Sequence, residues 1–271
     1  MAWDNIDTGK KNKILQFIEN VDKQCREDMN LGLITSERDY VSRLMNHFTY
    51  PKGIGAGKIG SISINDKPFK WVCRVNPPEI ETFFGADAMI IFKYWDKNGY
   101  DSYKVCLFEA KWIIDSNGRA RQNIDTADTS LHISHYHTQL ERQMNLSNDF
   151  IKFSMYINAN PIGKQVTNHP KFNLNGATCA WSSDAYDFSD FARKGYRASD
   201  VKWVASDFYG FSLWMKFEKR AGFVTLREIT EEILSCNQGK PIRDIKSAFA
   251  SAPISVAARN ELNTFINNSG I

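Results

Sequence analysis

The sequence of 271 residues contains no apolar run that approaches the ~18–20 residues needed to cross a bilayer. Its first residues, Met1-Ala2-Trp3-Asp4, lack the basic and then apolar pattern of a signal peptide. The five cysteines are an odd number, and no two of them have the spacing of metal ligands. These absences exclude membrane-spanning and disulfide-scaffold classes, and we expect a soluble, cytoplasmic protein with reduced thiols.

The sequence also has little excess of one charge, because 34 Lys and Arg oppose 31 Asp and Glu and leave a net charge of +3. This balance does not by itself indicate a nucleic-acid-binding protein. Internal repeats and low-complexity segments are absent, and the glycine-rich stretch 53–57 lacks the Gly-Lys-Ser/Thr ending of a phosphate loop. A hydrophobic content of 42% is what a globular protein contains.

Hydrophobic periodicity predicts an α/β fold. The predicted helices cover 10–28, a segment that begins near Ser36 and ends before Pro51, 134–146, 225–234 and 255–266. The predicted strands cover 59–64, 69–75, 80–95, 103–114, 150–157, 177–181, 203–205 and 211–217. No linker divides the chain, so we expect one elaborated domain over 1–271, with a core of about 36–157 and a C-terminal elaboration of about 158–271.

One predicted strand carries two opposite charges within an otherwise apolar run. Apart from its charged residues, the segment 104–114 is apolar on both faces, which is typical of a central strand buried in a sheet. Alternation of side chains places Glu109 and Lys111 on the same face. An ionised group is costly to bury unless it is paired or functional, so the sequence leaves open both a structural ion pair and a functional site.

A second acid, Asp87, interrupts the preceding apolar segment 80–95, and Gly85 before it predicts a bend or a close backbone approach. An Asn-Gly turn at Asn98 predicts a hairpin between the two strands. Asp87 lies eleven residues before Asn98 and Glu109 eleven residues after it, so we expect the two acids to be cross-strand neighbours. Adjacent buried carboxylates repel each other unless a cation lies between them, and hard oxygen ligands favour Mg²⁺ or Mn²⁺ over zinc.

The residues around Asp87 and Glu109 resemble the motif of a known protein superfamily. Gly85-Ala86-Asp87, a hairpin and then Phe108-Glu109-Ala110-Lys111 resemble the core of the PD-(D/E)XK nuclease superfamily, over about residues 36–157. Alanine at position 86 replaces the proline of the superfamily motif. The resemblance implies a restriction-endonuclease-like fold, a mixed β-sheet flanked by helices. It also implies that Asp87, Glu109 and the Ala110 carbonyl bind Mg²⁺ or Mn²⁺, while Lys111 orients or helps to deprotonate the attacking water and stabilises charge on the phosphate.

The resemblance implies further site residues on two helices. Glu37 fits the acid that many members carry before the sheet and would complete the metal shell directly or through water. It lies near the middle of an apolar helix face, although an acid that complements the helix dipole is the alternative. In members of the superfamily, a polar residue, frequently Gln, faces the active site from the helix that corresponds to the one after the Glu109 strand. Gln139 is our candidate, with Gln143 and His135 behind it, and a solvated helix flank is the alternative.

Three histidines, His132, His135 and His137, are also close together in sequence. Helical geometry turns His137 away from the other two and no cysteine is near, so we do not expect zinc there.

The function that the resemblance implies is metal-dependent hydrolysis of phosphodiester bonds in DNA, with duplex DNA as the expected substrate. Restriction, repair and anti-phage defence are all compatible with such an endonuclease, as are a homodimer and partner proteins of a defence system. Two alternatives stay open: a non-catalytic nucleic-acid-binding or assembly protein with the same fold, and an RNA-cleaving effector.

Overall fold

The computed structural model describes residues 3, 6–49, 60–64, 67–95, 98–114, 125, 127–128, 133–158, 176–193, 203, 205–252 and 254–271. The glycine-rich stretch 53–57 lies outside these residues. The helices in the described part of the chain are α1 (Thr8–Asn30), α2 (Glu37–Thr49), α3 (Pro78–Phe84), α4 (His135–Met144), α5 (Ser182–Arg193), α6 (Ala205–Phe217), α7 (Leu226–Leu234), α8 (Ile245–Ala250) and α9 (Val256–Ser269). The strands are β1 (Gly60–Ile64), β2 (Lys67–Val75), β3 (Ala88–Trp95), β4 (Asp101–Ile114), β5 (Ala127–Asp128), β6 (Ile133–Ser134), β7 (Ile151–Asn158), β8 (Thr178–Trp181) and β9 (Val224–Thr225).

Seven of the described strands form one mixed sheet in the order β1-β2-β3-β4-β7-β8-β9. Neighbouring strands are antiparallel except β4 and β7, which are parallel. A parallel pair needs a crossover connection, and α4 lies between β4 and β7 in the chain. The prediction of an α/β chain with a mixed sheet flanked by helices is confirmed, and β4 is the central strand.

Local signals explain where several helices begin. Ser36 accepts a hydrogen bond from the backbone N–H of Asp39 (3.1 Å) at the start of α2. Ser134 caps α4, and Thr225 and Glu228 form a capping box at the start of α7. The five predicted helices are confirmed to within a few residues, whereas α5 and α8 were not predicted.

The prediction of one long strand over 80–95 is wrong in its first half. Residues Pro78–Phe84 form α3, and β3 begins only at Ala88. Pro78 lies in the first helical turn, where its missing N–H costs no hydrogen bond. Gly85 then ends the helix in the left-handed conformation (φ 61°). These two end signals outweigh the strand-like aromatic and β-branched residues between them.

The prediction of strands over 203–205 and 211–217 is also wrong. Trp203 lies outside regular secondary structure, and residues 205–217 form α6. The residues that this helix buries are spaced by three and four: Phe208, Phe211 and Met215. Its outer face is apolar too, since Tyr209, Leu213 and Phe217 are exposed. The spacing of apolar residues in this segment therefore did not distinguish a helix from a strand.

The two faces of β4 pack against different helices. Even-numbered residues such as Cys106 and Phe108 pack with side chains of α1, α2 and α7. Odd-numbered residues such as Val105 and Leu107 pack with side chains of α3, α8 and α9. Further along the odd face, Ile113 packs with side chains of α4, α5 and α6. Glu109 and Lys111 therefore lie on the odd face, between two apolar clusters.

The cysteines and the helix lengths agree with the sequence. All five cysteines are free, four of them buried and Cys236 half-buried. In the part of the chain that the structure describes, every helix is too short or too polar to span a lipid bilayer.

Candidate active site

Asp87 and Glu109 face each other at the start of the β3–β4 pair. The register pairs Ala88 with Phe108, and one further step brings Asp87 opposite Glu109. The two carboxyl groups are close enough for a hydrogen bond when one of them is protonated. Oδ2 of Asp87 also accepts a hydrogen bond from the Ala110 backbone N–H (2.7 Å). The neighbourhood that the hairpin offset predicted is confirmed.

Lys111 lies on the same sheet face as Glu109, as alternation predicted. Its ammonium group donates to Oε1 of Glu109 in a buried ion pair, and Nζ lies 5.2 Å from the centre of the Tyr136 ring. Glu109 is 0% exposed and Lys111 6% exposed. No donor reaches Oε2 of Glu109. One oxygen of this carboxyl group is thus bound by Lys111, and the other is buried without a hydrogen-bond donor.

Two factors shift the pKa values of these side chains: their burial and the close approach of several carboxyl groups. Burial and the neighbouring Asp87 raise the pKa of Glu109 well above its ordinary value, against the opposing effect of Lys111. Burial likewise raises the pKa of Asp87. For Lys111, burial lowers the pKa, but Glu109, Glu37 and Asp87 outweigh it and raise the pKa. Lys111 therefore stays protonated, and the carboxyl pair binds a proton more readily than isolated carboxyl groups do.

Glu37 reaches the same region from α2. It is half-buried, and its Oε2 accepts a hydrogen bond from the Trp112 backbone N–H (2.7 Å). Its charge also raises the pKa of Lys111. Glu37 borders a cleft of about 180 Å³ whose other lining residues are Arg38, Val41, Val75, Asn76, Glu81 and Asp87. The structure thus places Glu37 beside Asp87, as expected, although a backbone N–H holds one of its oxygens.

Gln139 and Gln143 are buried on α4, at 3% and 0% exposure, so the alternative of a solvated helix flank is wrong for both. Gln143 donates through Nε2 to the Gly85 carbonyl. Gly85 packs so closely against the Gln139 backbone that a Cβ at position 85 would lie 2.1 Å from the Gln139 carbonyl oxygen. No donor reaches Oε1 of either glutamine. The close backbone approach predicted for Gly85 is confirmed, and α4 fixes the turn that carries Asp87.

The histidines do not converge on this group. His137 is buried, its Nδ1 lies 2.9 Å from Oγ of Ser189, and its ring stacks on Tyr186. His135 is half-buried at the start of α4, and His132 lies outside the described residues. His137 thus links α4 to α5 through Ser189 and Tyr186.

The donor set at Asp87 and Glu109 fits a hard divalent cation in part. It offers adjacent carboxylates, one with a buried oxygen that no donor reaches. Among the described residues, no three His, Cys, Asp or Glu side chains are grouped as a ready ligand set. Coordination by Glu37 and by the Ala110 carbonyl stays a prediction.

Sequence reasoning missed two residues of this region, Asn76 and Glu81. Both line the cleft with Asp87, and the charge of Glu81 raises the pKa of Asp87. Glu81 was missed because its helix was taken for a strand. Asn76 follows directly after β2, and extending the β2–β3 register by one residue would have placed it beside Asp87.

No protein-family model matches this chain, and no curated protein sequence matches it either. The resemblance to the PD-(D/E)XK nucleases therefore rests on the motif residues described above.

Proposed function

We propose that this chain is a Mg²⁺-dependent endonuclease that hydrolyses phosphodiester bonds in DNA. The observation that carries the proposal is the meeting of Asp87, Glu109 and Lys111 on one face of the central strands. Two carboxyl groups and an ammonium group in that arrangement can hold a hard cation and stabilise charge on a phosphate. Duplex DNA as the substrate comes from the resemblance alone.

Asp87 and Glu109 would hold the cation, with the Ala110 carbonyl and Glu37 as further ligands, directly or through water. When bound, Mg²⁺ neutralises charge on the phosphate and lowers the pKa of a bound water. Mn²⁺ has the same preference for oxygen ligands and is the expected substitute.

Lys111 acts as a fixed positive charge in this proposal. Because the surrounding carboxylates raise its pKa, it keeps its proton and donates hydrogen bonds to the attacking water and to a phosphate oxygen. Water adds to phosphorus and releases one proton to solvent, the P–O bond to a deoxyribose oxygen breaks, and the leaving oxygen takes one proton from solvent. The products are one phosphate end and one hydroxyl end.

The packing of the site supports this role over a purely structural one. A structural ion pair is stable in a core only when its remaining polar atoms are satisfied. Here Oε2 of Glu109 has no donor, and a second carboxyl group lies opposite it. Both features leave the ion pair incomplete and suit a site that binds a cation.

The test is a cleavage assay of the purified chain on supercoiled plasmid, single-stranded DNA and RNA, with Mg²⁺ and with EDTA. Asp87→Asn serves as the matched inactive variant. We expect Mg²⁺-dependent nicking or linearisation of plasmid that Asp87→Asn lacks. Cleavage of RNA alone would support the RNA-cleaving alternative, and binding of nucleic acid without cleavage would support the non-catalytic alternative.

A further inference from the structure

The polar residues of the candidate active site form a row across four adjacent segments of the sheet. Glu109 pairs with Ser154 on β7, and Asp87 lies opposite Glu109 on the other side. The β2–β3 register pairs Val75 with Ala88, so the next pair is Asn76 with Asp87. The Asn76 backbone N–H donates to the Asp87 carbonyl (2.7 Å), which continues the ladder. Residues directly opposite each other share a face, so Asn76 lies on the face of Asp87 and Glu109.

The side chain of Asn76 has a fixed orientation. Nδ2 donates to the Ala86 carbonyl (2.8 Å), which leaves Oδ1 as the opposite end of the amide. Asn76 is 1% exposed, and no donor reaches Oδ1. A buried carbonyl oxygen without a donor is uncommon in a folded protein and calls for an explanation. An Asn that served only to hold the turn would need Nδ2 and not this oxygen.

Asn76, which carries this oxygen, borders a cleft that is rich in carboxylates. Asn76 lines the cleft of about 180 Å³ together with Glu37, Glu81 and Asp87. Three carboxylates thus oppose one exposed cationic residue, Arg38, along this cleft, and the ligand that complements such an excess of acceptors is a cation or a water polarised by one.

We propose that Asn76 is a further binding residue of the metal site, whose Oδ1 accepts a hydrogen bond from water bound to the divalent cation in the cleft beside Asp87. This inference rests on the proposed function, because it uses the same cation. It also implies that the hydrated cation approaches the carboxyl pair through the cleft that Glu37 and Glu81 border.

Two substitutions separate the oxygen from the amide nitrogen. Asn76→Ser leaves a shorter hydroxyl group on the side of the Ala86 carbonyl and removes the oxygen at the position of Oδ1. Asn76→Asp retains an oxygen there and removes the donor. If Oδ1 faces the hydrated cation, Asn76→Ser weakens binding of Mn²⁺ and Asn76→Asp does not. If Asn76 only holds the turn, both variants melt at a lower temperature and the Mn²⁺ affinity of the folded Asn76→Ser protein is unchanged.

The readout is the dissociation constant of Mn²⁺ alone, measured by calorimetry without DNA, with thermal melts of each metal-free variant. We expect Asn76→Ser to raise this constant about tenfold, as loss of a residue that supports a metal site does. An unchanged constant for a folded Asn76→Ser overturns the assignment of Asn76. If that variant does not fold, Glu81→Gln decides, because weaker Mn²⁺ binding supports the cleft and unchanged binding overturns it.

The two proposals fail in different ways. If wild-type protein binds Mn²⁺ and Glu109→Gln does not, the metal site stands whatever Asn76 does. If wild-type protein neither binds Mn²⁺ nor cleaves DNA, the proposed function is wrong and the role of Asn76 is wrong with it.

Discussion

Asp87 lies opposite Glu109 because the register that pairs Ala88 with Phe108 continues for one residue beyond β3. The two acids therefore meet where α3 has ended and the strand begins. Glu109 is wholly buried, whereas Asp87 is half-buried and borders the cleft. One acid can thus anchor a cation from inside the protein while the other contacts it from the solvent side.

Glu109→Gln tests the anchoring role. We expect Mg²⁺-dependent cleavage to fall by at least about 100-fold, because the substitution removes a charge from the metal site. Gln has nearly the same shape, and Asp87 and Glu37 remain as negative partners of Lys111, so the free energy of unfolding should change by less than about 1.5 kcal/mol. Loss of the repulsion between Asp87 and Glu109 acts in the stabilising direction. Nuclease assays and chemical denaturation measure the two effects.

The matched substitution for Glu109→Gln is Glu141→Gln, on the exposed face of α4, which should change neither quantity. A purely structural Glu–Lys pair predicts a different result, since leaving Lys111 buried without its partner costs ~3–5 kcal/mol. A Glu109→Gln protein that is destabilised by that much and still cleaves DNA would falsify the nuclease assignment.

Lys111→Met separates catalysis from metal binding. Met fills a similar volume and removes the ammonium group, so DNA cleavage should be abolished. Mn²⁺ binding should be retained or become tighter, because the carboxylates lose a competing positive charge. Lys152→Met is the comparison, since Lys152 is a half-buried lysine of β7 that donates to backbone carbonyls. Loss of Mn²⁺ binding in Lys111→Met, with the fold intact, would mean that Lys111 organises the site and does not act on substrate.

Gly85→Ala tests whether the turn before Asp87 is built by close packing. The residue has φ 61°, and a new Cβ would lie 2.1 Å from the Gln139 carbonyl oxygen. We expect a loss of about 2–5 kcal/mol in the free energy of unfolding, from the backbone conformation and the overlap together. Cleavage should also fall at temperatures where the variant is folded, since Asp87 is displaced.

Gly32→Ala provides the comparison for Gly85→Ala. Gly32 has φ 73°, but a Cβ there meets no atom within 4 Å. Its cost should be only the ~1–2 kcal/mol of the left-handed conformation, with cleavage unchanged. Equal destabilisation by the two substitutions would show that contact with α4 does not hold the turn.

The sequence predicted the placement of Asp87, Glu109 and Lys111 better than it predicted the surrounding secondary structure. The site depended on alternation along one strand and on equal offsets from the turn at Asn98, and both rules are local and geometric. Neither needs the segment before Asp87 to be a strand, so the error over 80–95 did not affect the pairing of Asp87 with Glu109. The wrong strand prediction did lead us to miss Glu81, whose side chain reaches the cleft only because α3 is a helix.

The C-terminal part was harder to predict because its apolar residues have no clear period. In α6 the buried Phe211 and the exposed Leu213 are similarly hydrophobic, so only tertiary contacts decide which face is the core. Asn76 was missed for another reason. Its significance depends on register with Asp87 and on an oxygen left without a donor, and both are visible only once β2 and β3 are paired.

The last prediction concerns protons displaced by the metal. In the metal-free protein, burial raises the pKa of Glu109 above 4.5 and that of Asp87 above 3.8. A folded-state pKa above the unfolded value stabilises the protein fully below the unfolded pKa, and this stabilisation is lost as pH rises through the folded pKa. A divalent cation replaces the proton, so its affinity should rise with pH over the same range, and binding should release protons. Calorimetric titration with Mn²⁺ in two buffers of different ionisation enthalpy counts the released protons.

Asp22 distinguishes this effect from ordinary acid titration. Burial raises the pKa of Asp22 to about 7, while its carboxyl group accepts hydrogen bonds from Tyr40 and the Ala177 backbone N–H. Metal-free stability should therefore fall as pH rises from about 4 to about 7, and Asp22→Asn should flatten that profile. The same variant should leave proton release on Mn²⁺ binding unchanged, whereas Glu109→Gln should reduce it. Mn²⁺ binding with no proton release, or with an affinity that falls as pH rises, would mean that the carboxyl pair is already ionised and that burial does not govern the site.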